Sequence, residues 1–198
     1  MSIMSSGWKA ICFCCLILSA CATSLPSRHY TIVAAATSTE VDSEGPSIGL
    51  GPIRFPEYLD RPQIVIRGQA GEVTIEEFHR WIEPLHSTFM TVLAEDVAIA
   101  IGRDEVYAFP WPTRVKPDLR IMGTVSRFDA LSSGQAQLAV QWQIVDRSGE
   151  VIGTSRRSSY SSDWTPGDFR EMALALSRTV VSFSEEIAAV VAAIDTDS

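Results

Sequence analysis

Cysteine is scarce in this sequence and is confined to its beginning. The 198 residues include four cysteines, at positions 12, 14, 15 and 21. No disulfide can therefore form within residues 22–198, and that segment offers no thiol nucleophile. A single thiol outside the cytoplasm would be open to stray oxidation unless its sulfur were already occupied, so Cys21 requires an explanation.

Positive charge is also in short supply. The chain has 16 lysines and arginines against 24 aspartates and glutamates, which gives a net charge of −8. A nucleic-acid-binding protein needs a basic face, so this balance argues against DNA or RNA as a partner. The sequence has no polybasic cluster of the kind that binds anionic lipid head groups either. We interpret the excess acid as solvated surface.

The motifs of common catalytic sites are missing as well. There is no G-x-S-x-G nucleophile elbow and no Walker A motif. His79, Glu83 and His86 could share one helical face and resemble metal ligands, but Pro84 interrupts the segment and is expected to start the helix after His79. We therefore expect no enzyme activity, no metal and no non-covalent cofactor. An envelope enzyme and a structural envelope protein remain the alternatives.

The first 21 residues read as a targeting segment. Lys9 precedes an apolar run over residues 10–20, which is shorter than the roughly 20 residues that a membrane-spanning helix needs. The run ends in Leu18-Ser19-Ala20-Cys21, which resembles a bacterial lipobox. We expect cleavage before Cys21 and attachment of diacylglyceryl and N-acyl groups, including palmitate, to that residue. An ordinary signal peptide whose junction contains cysteine is the alternative.

The boundaries that follow are a lipoprotein signal peptide over 1–20, the lipidated Cys21 with a short tether over 21–27, and one folded domain over 28–198.

Alternation of apolar and polar residues is the strongest fold signal: Ala136, Leu138, Val140, Trp142 and Ile144 are predicted to face one side of a strand, and glutamines the other. Further strands are predicted over 30–33, 48–54, 63–67, 106–109, 119–125 and 151–160, and segment 72–80 fits either a strand or a helix.

Two helices are predicted. The first has Pro84 in its first turn and ends at Gly102. The second has Thr165 as N-cap and Pro166 at the next position, and apolar residues recur from Phe169 to Ile194 at helical spacing. That stripe fits core packing better than a coiled-coil seam for a partner. The fold class is α/β (α+β): a single domain with a mixed, partly antiparallel sheet flanked by helices and a long C-terminal helix.

Five segments carry a family resemblance. They are residues 54–67, Arg80-Trp-Ile-Glu-Pro-Leu85, Phe109-Pro-Trp111, Val125-Ser-Arg-Phe128 and Val140-Gln-Trp142. With the lipobox and the long last helix, they resemble the ABC-type transport auxiliary lipoprotein component family, which includes paraquat-inducible protein C and its YmbA-like relatives. The resemblance implies a sheet flanked by helices and no ATP hydrolysis, and it extends over nearly the whole mature chain.

The resemblance also implies a function. Such a lipoprotein would face the periplasm from the outer membrane and act with an MCE-type intermembrane lipid transport protein and its inner-membrane subunits. Ala22, rather than aspartate, follows the lipobox cysteine, and this favours sorting to the outer membrane. Self-assembly into a ring would suit the end of a tubular conduit.

The loop after residue 54 is the first candidate for a docking surface. Its prolines fix their φ angles and push the preceding residues toward extended conformations, so the turn is stiff. The loop has two interpretations: a lock between two strands, which we favour, or a docking surface to which Arg61 contributes a charge. Two tryptophans are either core or interface. The candidate residues are Pro56, Leu59, Arg61, Pro62, Trp81 and Trp111.

Overall fold

A computed structural model describes residues 26–35 and 45–196. Within these ranges the chain forms one eight-stranded mixed sheet and two α-helices. The strands are β1 Arg28–Tyr30, β2 Ile48–Arg54, β3 Gln63–Arg67, β4 Val73–Trp81, β5 Val106–Ala108, β6 Leu119–Leu131, β7 Gln135–Asp146 and β8 Val151–Asp163. The helices are α1 Leu85–Ile101 and α2 Phe169–Thr196. The predicted fold class is confirmed, whereas Cys21 and most of the predicted tether lie outside the described residues.

Strand β6 is the centre of the sheet because it pairs with three other strands, β7, β2 and β3. Along one edge, β7 runs antiparallel over the whole length of β6. Along the other edge, β2 pairs in parallel with the first half of β6, and β3 pairs in parallel with its last two residues, Ala130 and Leu131. Strand β5 lies beyond β2, β4 and β1 lie beyond β3, and β8 lies beyond β7. The loop between β2 and β3 therefore spans the place where the sheet divides into two branches.

The core lies between this sheet and the helices. All five residues predicted to face inward from β7 are buried, with Trp142 only 1% exposed. Helix α2 packs across β6, β7 and β8 and against α1. The centre of its apolar stripe is buried, which confirms core packing: Met172, Leu176, Val180, Phe183 and Ile187 are each at most 1% exposed. No helix in the described part of the chain is long and apolar enough to cross a bilayer.

The predicted strand over 30–33 is wrong in position. Strand β1 ends at Tyr30, and its three residues pair with the end of β4. Beyond it the chain turns toward the helices: the Val33 N–H donates to Ser177 Oγ at 3.0 Å, and the Ala35 N–H donates to Asp96 Oδ1 at 2.7 Å. Ile32 lies outside the strand but is only 2% exposed, so burial of an apolar side chain, and not strand pairing, accounts for the apolar pattern over 30–33. The ambiguous segment 72–80 is strand, because it pairs with β3.

The helix boundaries differ from prediction at both N-termini. Pro84 is the N-cap of α1 rather than a first-turn residue, while Gly102 ends the helix as predicted, in a left-handed conformation with φ of 66°. In α2 the predicted cap at Thr165 is wrong. The Asp168 carboxylate accepts the N–H groups of Arg170 and Glu171, each at 3.0 Å, so the helix begins three residues later. Aspartate and threonine both cap helices, and here Pro166 belongs to the preceding turn.

Candidate functional site

The β2–β3 loop, residues 55–62, is fixed to the core by an aromatic cluster. The Phe55 ring lies 4.9 Å from the Phe89 ring and 6.0 Å from the Phe128 ring, in both cases edge to face. Phe89 and Phe128 are themselves 5.0 Å apart and are fully buried. The first residue of the loop thus joins α1 to β6. Edge-to-face pairs of this kind add about 0.5–1.5 kcal/mol each to the burial of the rings.

A buried polar network fixes the middle of the loop. The Tyr58 hydroxyl donates to Asp129 Oδ2 at 2.6 Å and accepts a hydrogen bond from Arg67 Nη2 at 2.7 Å. Arg67 also forms an ion pair with Asp129, whose side chain is completely inaccessible. Burial, reinforced by the hydrogen bond to Asp129, raises the pKa of Tyr58 above its usual range. Tyr58 therefore stays neutral and ties the loop to β3 and β6.

Two of the predicted docking residues lie in the core. Leu59 is 5% exposed and Trp81 is 7% exposed. Pro56, at the start of the short 3-10 turn over Glu57–Leu59, is half-buried. These placements agree with the reading of the loop as a lock between β2 and β3.

Three candidates meet at one open cavity of about 240 Å³, which we call the Arg61–Ile82 pocket. It lies where β3 begins, β4 ends and α1 begins. Backbone hydrogen bonds hold its walls: the Trp81 N–H donates to Pro62 O at 2.7 Å, and the Ile82 N–H donates to Tyr30 O at 2.9 Å. The pocket is lined by Asp60, Arg61, Pro62, Trp81, Ile82, Glu83 and Pro84.

Two side chains of this pocket, those of Ile82 and Arg61, are not fully packed or hydrogen-bonded within the described part of the chain. Ile82 is 62% exposed, which is high for a large aliphatic side chain beside a formed cavity. Arg61 Nε is buried and has no hydrogen-bond partner. A buried donor without an acceptor costs roughly 1–3 kcal/mol. Both features fit a surface that another molecule completes.

Trp111 lies apart from this pocket. Its ring packs edge to face against Phe109 at 5.3 Å and lies over the backbone of β2. A Cβ atom added at Gly49 would come 3.0 Å from the Trp111 ring and 2.8 Å from Pro117. Trp111 thus covers a glycine whose lack of a side chain makes the close approach possible. The six candidates therefore divide between the core, the pocket and this separate packing site.

Sequence reasoning missed Ile82, Asp60 and Glu83 as members of the site. Ile82 stands within the motif Arg80–Leu85, and its large apolar side chain directly before Glu83 and Pro84 was the available signal. Among the described residues, no group of three or more histidine, cysteine, aspartate and glutamate side chains is arranged to hold a metal. His79 stacks on Phe169 at 3.8 Å, and His86 packs against Phe55 at 4.9 Å.

The pocket and the loop both lie within a region shared with known proteins. The family model for the ABC-type transport auxiliary lipoprotein component matches residues 30–188. The chain belongs to this family. No curated protein matches this auxiliary lipoprotein.

Solved structures show the same fold. The crystal structure of an uncharacterized protein matches with a TM-score of 0.68 at 16% identity, over 84% of this chain and 99% of that one. A Xanthomonas campestris protein of family DUF330 matches with a TM-score of 0.67 at 15% identity, over 86% of this chain and all of its own. A PelC dodecamer from Paraburkholderia phytofirmans reaches a TM-score of only 0.42 at 14% identity, over 75% of this chain and 93% of that one.

A second polar feature of the auxiliary lipoprotein lies between its helices. Asp96 on α1 is 2% exposed, and it borders a groove of about 810 Å³ between α1 and α2. One carboxylate oxygen accepts the Ala35 N–H, while Oδ2 has no hydrogen-bond partner. Burial raises the pKa of Asp96 to about 6, and the nearby Glu95 and Glu185 add to the effect.

Replacing Asp96 with asparagine should remove a pH dependence of stability. Between about pH 4 and pH 6 the unfolded carboxyl is ionised while the folded one still holds its proton, so the free energy of unfolding falls as pH rises. We expect a loss of about 1–2 kcal/mol across this window in the native protein, and less in Asp96→Asn, which keeps the acceptor for Ala35. Urea unfolding of both proteins at pH 4.5 and pH 7.5 measures the difference. Equal pH dependence in both would contradict the assignment.

Proposed function

We propose that this auxiliary lipoprotein is a non-catalytic adaptor, anchored to the outer membrane by lipid on Cys21, that docks an MCE-type transport protein through the Arg61–Ile82 pocket. The family match supports association with a transport system. The observation that carries the docking site is the exposure of Ile82 beside the buried, unpartnered Arg61 Nε.

The chemistry of the pocket defines what it would accept. Ile82 offers an exposed apolar side chain, and Arg61, which also lines the pocket, offers a positive charge and a guanidinium with hydrogen-bonding capacity to spare. Asp60 and Glu83 add negative charge around them. Tryptophan and arginine are the residues most often found at the energetic centres of protein interfaces. A partner segment with an apolar side chain, a carbonyl or carboxylate acceptor and basic flanks would match all of these groups.

The pocket is also preorganised. The aromatic cluster and the Tyr58–Arg67–Asp129 network fix one side of it, and the backbone bonds at Trp81 and Ile82 fix the other. A partner would therefore find the site in its bound geometry, which reduces the entropy lost on binding.

The anchor restricts where this docking can happen. Residues 22–27 can extend at most about 20–22 Å at 3.3–3.6 Å per residue, so the domain stays close to its own bilayer. A link to the inner membrane must then come from the partner, which fits an adaptor at the far end of a conduit. Several copies arranged in a ring would offer one pocket each to such a conduit.

Ile82→Glu should abolish co-purification of the MCE-type protein without unfolding the domain. The change places a charge, next to Glu83, at the centre of the apolar contact, and loss of a central interface residue costs about 2 kcal/mol or more, or roughly 30-fold in affinity. The measurement is the amount of transport protein recovered with the tagged lipoprotein from solubilised membranes.

Val151→Glu is the matched control. Val151 is 45% exposed at the start of β8, away from the pocket, and undergoes the same aliphatic-to-acid change. We expect full recovery of the partner with this variant and unchanged thermal unfolding of both. Equal recovery with Ile82→Glu and Val151→Glu would rule out the pocket as the docking site.

A further inference from the structure

The fold assembles a basic cavity from residues that are far apart in the sequence. An opening of about 990 Å³ is lined by Arg28 and His29 of β1, His79 of β4 and Arg170 of α2. The sequence shows no polybasic cluster, because these side chains come from three separate segments. Their meeting is a consequence of the parallel pairing of β1 with β4 and of the start of α2 beside them.

The arginines of this cavity outnumber its one carboxylate, that of Asp168. Neither Arg28 nor Arg170 forms an ion pair in the described part of the chain. Asp168 also lines the cavity, but its carboxylate is engaged by the N–H groups of Arg170 and Glu171. The α2 N-terminus is therefore already capped, and His79 is engaged by the Tyr30 hydroxyl and the Phe169 ring. Arg28 and Arg170 are thus the charged groups that the cavity offers to a ligand.

The position of the cavity indicates its ligand. Arg28 is seven residues after Cys21, so a lipid on that cysteine would keep the cavity within about 25 Å of the bilayer surface. The apolar side chain of Leu174, which is 44% exposed, lies on the same wall as Arg170. Arginines beside an exposed leucine match the phosphates and upper acyl carbons of a membrane surface.

We propose that this cavity is a second membrane contact, which binds the phosphate groups of anionic phospholipids in the bilayer that holds the anchor. This inference rests on the lipid anchor of the proposed function. Each basic residue near an anionic surface contributes roughly a fivefold preference for it. The contact fixes the orientation of the domain on the membrane. It therefore also fixes the direction in which the Arg61–Ile82 pocket faces.

Because the mature chain would have no free thiol, one introduced cysteine gives a unique label. A polarity-sensitive fluorophore is attached to the Leu174→Cys variant of the lipidated mature protein. The labelled protein is then reconstituted into vesicles of phosphatidylcholine with or without 30% phosphatidylglycerol. We expect a blue shift with phosphatidylglycerol that 0.5 M NaCl reverses and that Arg28→Glu/Arg170→Glu removes. The same label at Val151→Cys, on a distant strand, should not respond.

The outcomes separate the two proposals. Failure of the protein to float with vesicles of either composition would contradict the anchor. If the protein floats with the vesicles but the fluorescence of the label at position 174 is the same with and without phosphatidylglycerol, the second contact alone is overturned. A saturable response to inorganic phosphate on pure phosphatidylcholine vesicles would also overturn it, because the cavity would then be a site for a free anion.

Discussion

Replacing Arg67 with methionine should destabilise the protein by about 3–5 kcal/mol, the usual cost of breaking a buried ion pair from one side. Asp129 is completely inaccessible and receives its hydrogen bonds from Arg67 and Tyr58. Methionine keeps much of the arginine volume but leaves the carboxylate with Tyr58 as its remaining donor. The measurement is the free energy of unfolding from urea titration at pH 7.5.

Arg147→Met is the control for this prediction. Arg147 also pairs with an aspartate, Asp118, but both side chains are exposed, at 64% and 44%. Exposed pairs contribute about 0–1 kcal/mol, so this variant should unfold almost as the native protein does. Adding Asp129→Asn to Arg67→Met removes the unpaired charge and should recover part of the loss. Similar effects of Arg67→Met and Arg147→Met would show that the network does not hold the loop.

Replacing Cys21 with serine should release the protein from the membrane almost completely. The proposed acyl chains account for most of the attachment, since two or more chains anchor a protein stably, whereas the proposed contact of two arginines with anionic phospholipids is weak on its own. The measurement is the share of protein in the membrane pellet, together with incorporation of a palmitate analogue.

Cys15→Ser provides the matched control, because it removes a nearby cysteine and leaves Cys21 in place. This variant should stay in the membrane fraction and keep its label. Retention of Cys21→Ser in the membrane at the native level would mean that something other than lipid on this residue holds the protein there.

The elements that repeat with a regular period were predictable from the sequence. The alternation along β7 and the stripe from Phe169 to Ile194 each depend on one buried face, which fixes the type of element. Their ends were less predictable, because competing signals lie close together. Thr165 and Asp168 are both good caps, and only the turn through Pro166 decides between them.

The contacts between distant segments could not be read from the sequence. Arg61 and Arg67 stand in the same motif, and a charge at either position suggests a surface contact. The fold places Asp129 beside Arg67, which makes that arginine structural, and leaves Arg61 with a buried nitrogen that lacks an acceptor. Likewise, Arg28 and Arg170 form a shared basic cavity only after β1 and α2 are brought together.

The most direct test of a membrane-anchored adaptor is the mass of the N-terminal tryptic peptide from the native protein purified from membranes. Cleavage after Arg28 should yield residues 21–28 with diacylglyceryl and N-acyl groups on Cys21. An unmodified peptide 21–28, or a peptide that continues from Ala10 through Arg28, would contradict the account.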